Sequence, residues 1–343
     1  MFGKKKTPRP LFNRHRRSPR RVPIIWIMIG IIFLIFWLVP VHDSSLDYLA
    51  KRTPLSLIFT HPPTSTSTPK PTPEHGGRIV FTCTRAGFNQ LCIINADGTG
   101  LQQLSADQFA NDYYPAFGPH GNEIIFASNR NGPFDIYLMV FAERTIQRIT
   151  TGVGDVISPD FSPDGRQIVF ANHPPNGITS IWMVNRDGSD PHLFYTGSGP
   201  IVAVAWSPDS KTLAYAMQVD IPNQYEVFVI NLDGSSQRRL TNGLSGIGGS
   251  LSWSPDGGSL LISAGPVGGR EIYRLDVESG APLALTQGGN NAAPSYSPDG
   301  KFIAFNSTRN GGQSDIFIMN ADGSGQHPIT YDPEPDWQPR WEP

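Results

Sequence analysis

Charged residues make up only 16% of this 343-residue chain, and none of its 29 acidic residues lies within the first 41 positions. So little charge argues against an architecture of long, solvent-exposed helices. No Gly-x-Ser-x-Gly sequence occurs, which removes the nucleophile elbow of an α/β-hydrolase and, with it, a peptidase of that kind. The eight histidines (His15, His42, His61, His75, His120, His173, His192 and His327) have no metal-ligand spacing. Each therefore reads as a surface residue, and no metal or other cofactor is expected. No basic stripe follows the N-terminal tail, so nucleic-acid binding is not expected either. Two cysteines, Cys83 and Cys92, allow at most one internal disulfide.

Glycine and proline, by contrast, are plentiful at 35 and 32 residues. Both are costly inside helices and both supply the φ values that tight turns need. Short strands joined by many turns are implied.

The small net charge of −2 conceals an uneven distribution. Residues 1–41 hold nine basic side chains, leaving 18 basic against 29 acidic in the rest, a net of −11. No charged residue occurs in 22–41, and residues 24–39 read IIWIMIGIIFLIFWLV, close to what crosses a hydrocarbon core of about 30 Å. No small-x-small cleavage pattern follows, since Tyr48-Leu49-Ala50 places a bulky residue where a small one is needed. The expectation is an uncleaved anchor with the basic tail, residues 1–21, in the cytoplasm and everything after residue 41 outside it. Residues 60–74, THPPTSTSTPKPTPE, offer almost nothing apolar to bury. They read as a semi-rigid stalk within a juxtamembrane segment of residues 42–77.

The remainder, 78–343, is a repeat. Its marker is an aromatic followed by Ser-Pro-Asp-Gly or a variant, at Phe117, Phe161, Trp206, Trp253 and Tyr296, spaced 44, 45, 47 and 43 residues apart. A further 45 residues reaches Trp341 in the terminal string. Each period contains an apolar run after the turn (Gln167-Ile-Val-Phe-Ala), a second run (Asp315-Ile-Phe-Ile-Met-Asn), an Asp-Gly hairpin such as Asp322-Gly323, and a short closing strand. Four antiparallel strands every 44 or so residues describe a propeller blade, because a small sheet buries both faces only against neighbouring sheets. The first unit, 78–104, lacks its own first strand and 336–342 is a first strand alone. The expected fold is all-β, a six-bladed β-propeller closed by the C-terminal strand and preceded by one N-terminal transmembrane helix.

The unit Asp-x-x-Pro-x-aromatic-Ser-Pro-Asp-Gly, then Ile-x-Phe-x-Ser-x-Arg, Asp-Ile-Tyr/Phe-x-Met-Asn and Asp-Gly, resembles the WD-like propeller repeat of the TolB family. It is also similar to the propeller of prolyl oligopeptidases and dipeptidyl peptidases. The likeness implies the fold far more than a function. Soluble TolB proteins carry an α/β domain before the propeller where this chain has an anchor and stalk, so no Tol-system partner is carried over.

Asp112, Asp155, Asn291 and Asp336 lie near the start of the first strand of their units. If those strands surround the axis, their oxygens could meet at one channel mouth and take a cation or a cationic peptide end. Alternatively, they cap strand ends. Ile201 and Gly248 hold the aligned places in two units, which would make a site one-sided. The aspartates of the Asp-Gly turns read as turn formers rather than calcium ligands, which would need more oxygens at fixed offsets. Pairing Phe81 with Ile94 would set Cys83 directly opposite Cys92, and an extracytoplasmic location permits a disulfide. Ser307 and Phe317 occupy the same places in the last unit, so the fold does not require the bond.

These features favour a non-enzymatic, membrane-anchored, monomeric binding or scaffold module for a protein or cell-envelope polymer. The alternative is a small-ligand or carbohydrate sensor, or a propeller enzyme, with its site at the channel mouth.

Overall fold

A computed structural model describes residues 76–174, 177 and 179–343. The expected tail, anchor and stalk, up to residue 75, lie outside the described residues. Among those described, 24 strands form six four-stranded antiparallel sheets, and the chain is an all-β six-bladed propeller. Blades 2 to 6 are each sequential, with innermost strands Asp112–Phe117, Asp155–Phe161, Ile201–Trp206, Ser252–Trp253 and Asn291–Tyr296. Blade 1 is composite: Asp336–Trp341 pairs with Arg78–Arg85, followed by Phe88–Asn95 and Gln102–Gln103.

The middle strands of each blade are apolar on both sides because both sides are covered. In Glu123–Ser128, Ile124 and Phe126 pack with Val80 and Leu91 of blade 1, while Ile125 packs with Val156 and Phe170 of blade 3. Alternation along a strand thus serves two interfaces at once. The buried apolar residues sort into six clusters, one at each blade interface. That between blades 6 and 1 sets Ile79, Phe81 and Trp341 against Ala304, Ile316 and Ile318. Phe81, Phe126, Phe170, Tyr215, Ile262 and Phe305 hold one register position and are fully buried. Burying each such side chain contributes about 1.5–3 kcal/mol.

Turn chemistry fixes the strand registers. In four blades the serine of Ser-Pro-Asp-Gly donates to the aspartate two residues on, as Ser162 does to Asp164 at 2.6 Å. In the Asp-Gly hairpins the carboxylate accepts from a following backbone amide, as Asp322 does from Ser324 at 2.9 Å. Cys83 and Cys92 form a disulfide with Cα atoms 5.8 Å apart, but not from facing positions. The two-residue hairpin Ala86-Gly87 has φ of 53° and 83°, the pattern of a type I′ turn. It closes on the pair Arg85 and Phe88, so Phe81 faces Cys92 and Ile94 faces Ile79. The expected register is therefore off by two residues, and the disulfide runs diagonally across the strand pair.

Candidate functional site

Each inner strand starts at one mouth of the ring and ends at the other, where blades 3 to 6 have the Ser-Pro-Asp-Gly turn or its Ser-Pro-Asp-Ser variant. Antiparallel order puts both hairpin families, first to second and third to fourth strand, on that turn face. The second-to-third loops and the links between blades lie on the opposite, connection face.

Asp112, Asn291 and Asp336 start their strands at equivalent positions, opposite Ser128, Ser307 and Cys83. Asp155 does not join them. Its strand is one residue longer, so Val156 takes the equivalent place opposite Asn172, while Asp155 is exposed and accepts the Phe134 N–H at 2.9 Å. Counting back from the aromatic marker, five residues in blade 2 and six in blade 3, would have revealed the offset.

The three equivalent side chains are fully buried and engaged in the wall. One Nη2 of Arg130 donates to both oxygens of Asp112 at 2.9 and 3.0 Å. The same guanidinium lies 5.3 and 5.0 Å from the ring centroids of Phe126 and Tyr137. Arg85 is shared by Asp332 at 2.7 Å and Asp336 at 3.3 Å. Asn291 donates to Glu271 at 2.8 Å and to the Gly288 carbonyl at 3.0 Å. Burial pushes the Asp336 carboxyl up to about 6; bonds from Thr330 and Arg85 pull the other way. These groups anchor strand starts, while among the described residues the buried Asn291 Oδ1 and Asp336 Oδ2 have no hydrogen-bond partner.

The channel holds charges that sequence reading passed over. The residue before each aromatic marker is Ala116, Asp160, Ala205, Ser252, Ser295 or Arg340. Three of these bridge to the next blade: Asp160 accepts the Trp206 N–H at 2.9 Å, Ser252 that of Tyr296 at 3.1 Å and Ser295 that of Trp341 at 3.0 Å. Arg340 instead crosses from blade 1 to donate to Ser250 of blade 5 at 2.9 Å. Blades 1, 3 and 5 alternate around the ring, so Arg340, Asp160 and Ser250 reach the channel from three sides. Loss of water raises the Asp160 carboxyl, offset in part by Trp206 N–H and Arg340; it lowers Arg340, with Asp160 opposing. A cavity of about 210 Å³ touches both charges together with Trp206, Trp253, Pro208 and Pro255. A second hollow of about 340 Å³, between blades 4 and 5, shares Trp253 and both prolines. Among the described residues the buried Trp206 Nε1–H has no hydrogen-bond partner. The signal available in the sequence was that only Asp160 and Arg340 are charged among the six residues preceding the markers.

The two faces differ. Phe109, Ile221, Val267 and Tyr331, exposed by 91%, 57%, 95% and 71%, all sit in loops of the connection face. On the turn face, Asp164, Asp187, Asp209, Asp233, Asp256, Asp299 and Asp322 are held below the usual carboxylate range, chiefly by serine hydroxyl bonds. Among the described residues no group of three His, Cys, Asp or Glu side chains is placed to hold a metal ion.

Comparison with known proteins accords with this architecture. A family model, the TolB β-propeller domain, matches residues 56–185 and 173–343. An uncharacterised protein of Agrobacterium fabrum is 31% identical over 186 residues, 53% of this chain and 60% of its own length. The Tol-Pal system protein TolB of Anaeromyxobacter dehalogenans is 35% identical over 119 residues, 34% of this chain and 26% of its own. The chain thus spans less than two thirds of these relatives. The crystal structure of TolB from Acinetobacter baumannii matches with a TM-score of 0.69 at 23% identity, over 78% of this chain and 67% of that one; at that identity it bears on the fold. With the family model covering nearly all of the repeat region and the blades built as the motif requires, the chain belongs to the TolB β-propeller domain family.

Proposed function

We propose that the protein is a membrane-tethered, non-enzymatic binding module that presents its connection face to a polypeptide in the cell-envelope space. The observation that carries this reading is the gathering of Phe109, Ile221, Val267 and Tyr331 on one face. Large apolar side chains at loop tips are costly to leave in water and mark contact surfaces when they share a face. Asp107, Asp220 and Asp332 lie within two residues of three of them, so a partner offering apolar side chains among basic ones is complementary. The apolar run at residues 24–39, its basic flank and the Pro/Thr-rich stretch support tethering with the propeller outside the cytoplasm. The chain joins the ring at Arg78, where the second strand of blade 1 starts on the turn face. The name of the Anaeromyxobacter relative, a Tol-Pal system protein, favours work within a protein assembly.

The test is crosslinking capture from membranes with the full chain and with a variant carrying Phe109→Ser, Ile221→Ser, Val267→Ser and Tyr331→Ser. A specific envelope protein captured by the parent and lost with the variant supports the reading. Undiminished capture by a folded variant refutes it.

A further inference from the structure

We propose that the cavity on the turn side of Arg340 is a binding site for a small zwitterion with the charge layout of an α-amino acid bearing an apolar side chain. It lies at the mouth opposite the proposed docking face and stands independently of that reading.

Opposite charges in a protein interior normally close into contact, because water no longer screens them. Here Arg340 and Asp160 line one cavity, yet each bonds elsewhere: the guanidinium to Ser250 and the carboxylate to the Trp206 amide. Both are enclosed by protein but keep accessible surface, as groups on the wall of a hollow must. A guanidinium carries five N–H donors, and the bond to Ser250 takes one of them. A ligand carboxylate would accept from Arg340, while a ligand ammonium would donate to Asp160.

Charge balance selects the zwitterion. The two wall charges are opposite, so a ligand with only a carboxylate or only an ammonium would meet one attractive and one repulsive charge, whereas a zwitterion pairs with both. The volume of about 210 Å³ is room for about seven waters at about 30 Å³ each, which suits one amino-acid-sized molecule. Trp253, Pro208 and Pro255 continue from this cavity into the adjoining hollow, giving an apolar side chain somewhere to lie.

The experiment titrates the full chain in detergent solution with L-alanine, L-leucine and L-phenylalanine, following tryptophan fluorescence and heat of binding. N-acetyl-L-leucine, without the ammonium, and L-leucine methyl ester, without the carboxylate, complete the set. At least one free amino acid should bind, and each blocked form should bind about tenfold or more weakly. Asp160→Asn keeps an oxygen for the Trp206 amide and should lose the amino acid while retaining its thermal transition. Absence of binding by all three amino acids up to about 10 mM overturns the proposal, as does equal binding by parent and Asp160→Asn. Preference for N-acetyl-L-leucine also overturns it and identifies a chain-terminal carboxylate of a peptide as the ligand instead.

Discussion

Asp336 starts the strand that pairs the C-terminal end of the chain with Arg78–Arg85, and it is fully buried. Its carboxyl rises from an ordinary 3.8 to about 6 because desolvation, assisted by the nearby Asp332, outweighs the bonds from Thr330 and Arg85. A raised folded-state pKa means that the folded protein holds a proton which the unfolded chain has released. The associated stability is complete below about pH 4 and is lost as pH climbs to about 6. Roughly two pKa units correspond to about 3 kcal/mol, or on the order of 6 °C in Tm for a domain of this size. Asp336→Asn preserves shape and removes the ionisation, while Arg85 keeps its shorter contact to Asp332. The variant should match or trail the parent at pH 4 and exceed it at pH 7.5. Thermal unfolding of both proteins at pH 4, 5, 6 and 7.5 measures this, and the difference between them removes the contribution of the turn aspartates, whose lowered pKa values act in the opposite direction. A Tm difference that stays flat with pH, or that moves in the parent's favour between pH 4 and 6, would refute the reasoning and mean that Arg85 prevails over burial.

Further outcomes follow from the geometry. Gly323 has φ of 89°, and a Cβ there would lie 2.6 Å from the Leu285 carbonyl oxygen of the preceding blade, so Gly323→Ala should cost about 2 kcal/mol or more in chemical denaturation. Ser210, with φ of 58°, stands where blades 3, 5 and 6 have Gly165, Gly257 and Gly300, so Ser210→Gly should be neutral or stabilise by up to about 1 kcal/mol. Asp112→Ala would strand Arg130 and should cost about 3 kcal/mol. Asp155→Ala, at an exposed carboxylate with one backbone bond, should cost less than about 1.5 kcal/mol by the same assay. Equal losses at the two positions would contradict their different placement.

The blades were legible because their information is local. A Ser-Pro-Asp-Gly turn sets its own geometry, and an apolar run of five residues between turns has few alternatives to a strand covered on both faces. The disulfide register was also local, but it depended on reading Ala86-Gly87 as a two-residue hairpin, after which Phe81 could face only Cys92. Asp155 was misaligned because one extra residue in its strand shifts side-chain direction, and strand alternation tolerates no such slip.

What the sequence determined by itself was therefore the repeat, the number of blades, the turn chemistry and the uneven charge along the chain. Tertiary structure alone decided that Asp112, Asn291 and Asp336 are buried in the wall and that the four most exposed apolar side chains share one face. It also decided that Asp160 and Arg340, 180 positions apart, border one cavity. Turns and strands follow from neighbours along the chain, whereas the contents of a channel depend on which blades a closed ring sets across from one another.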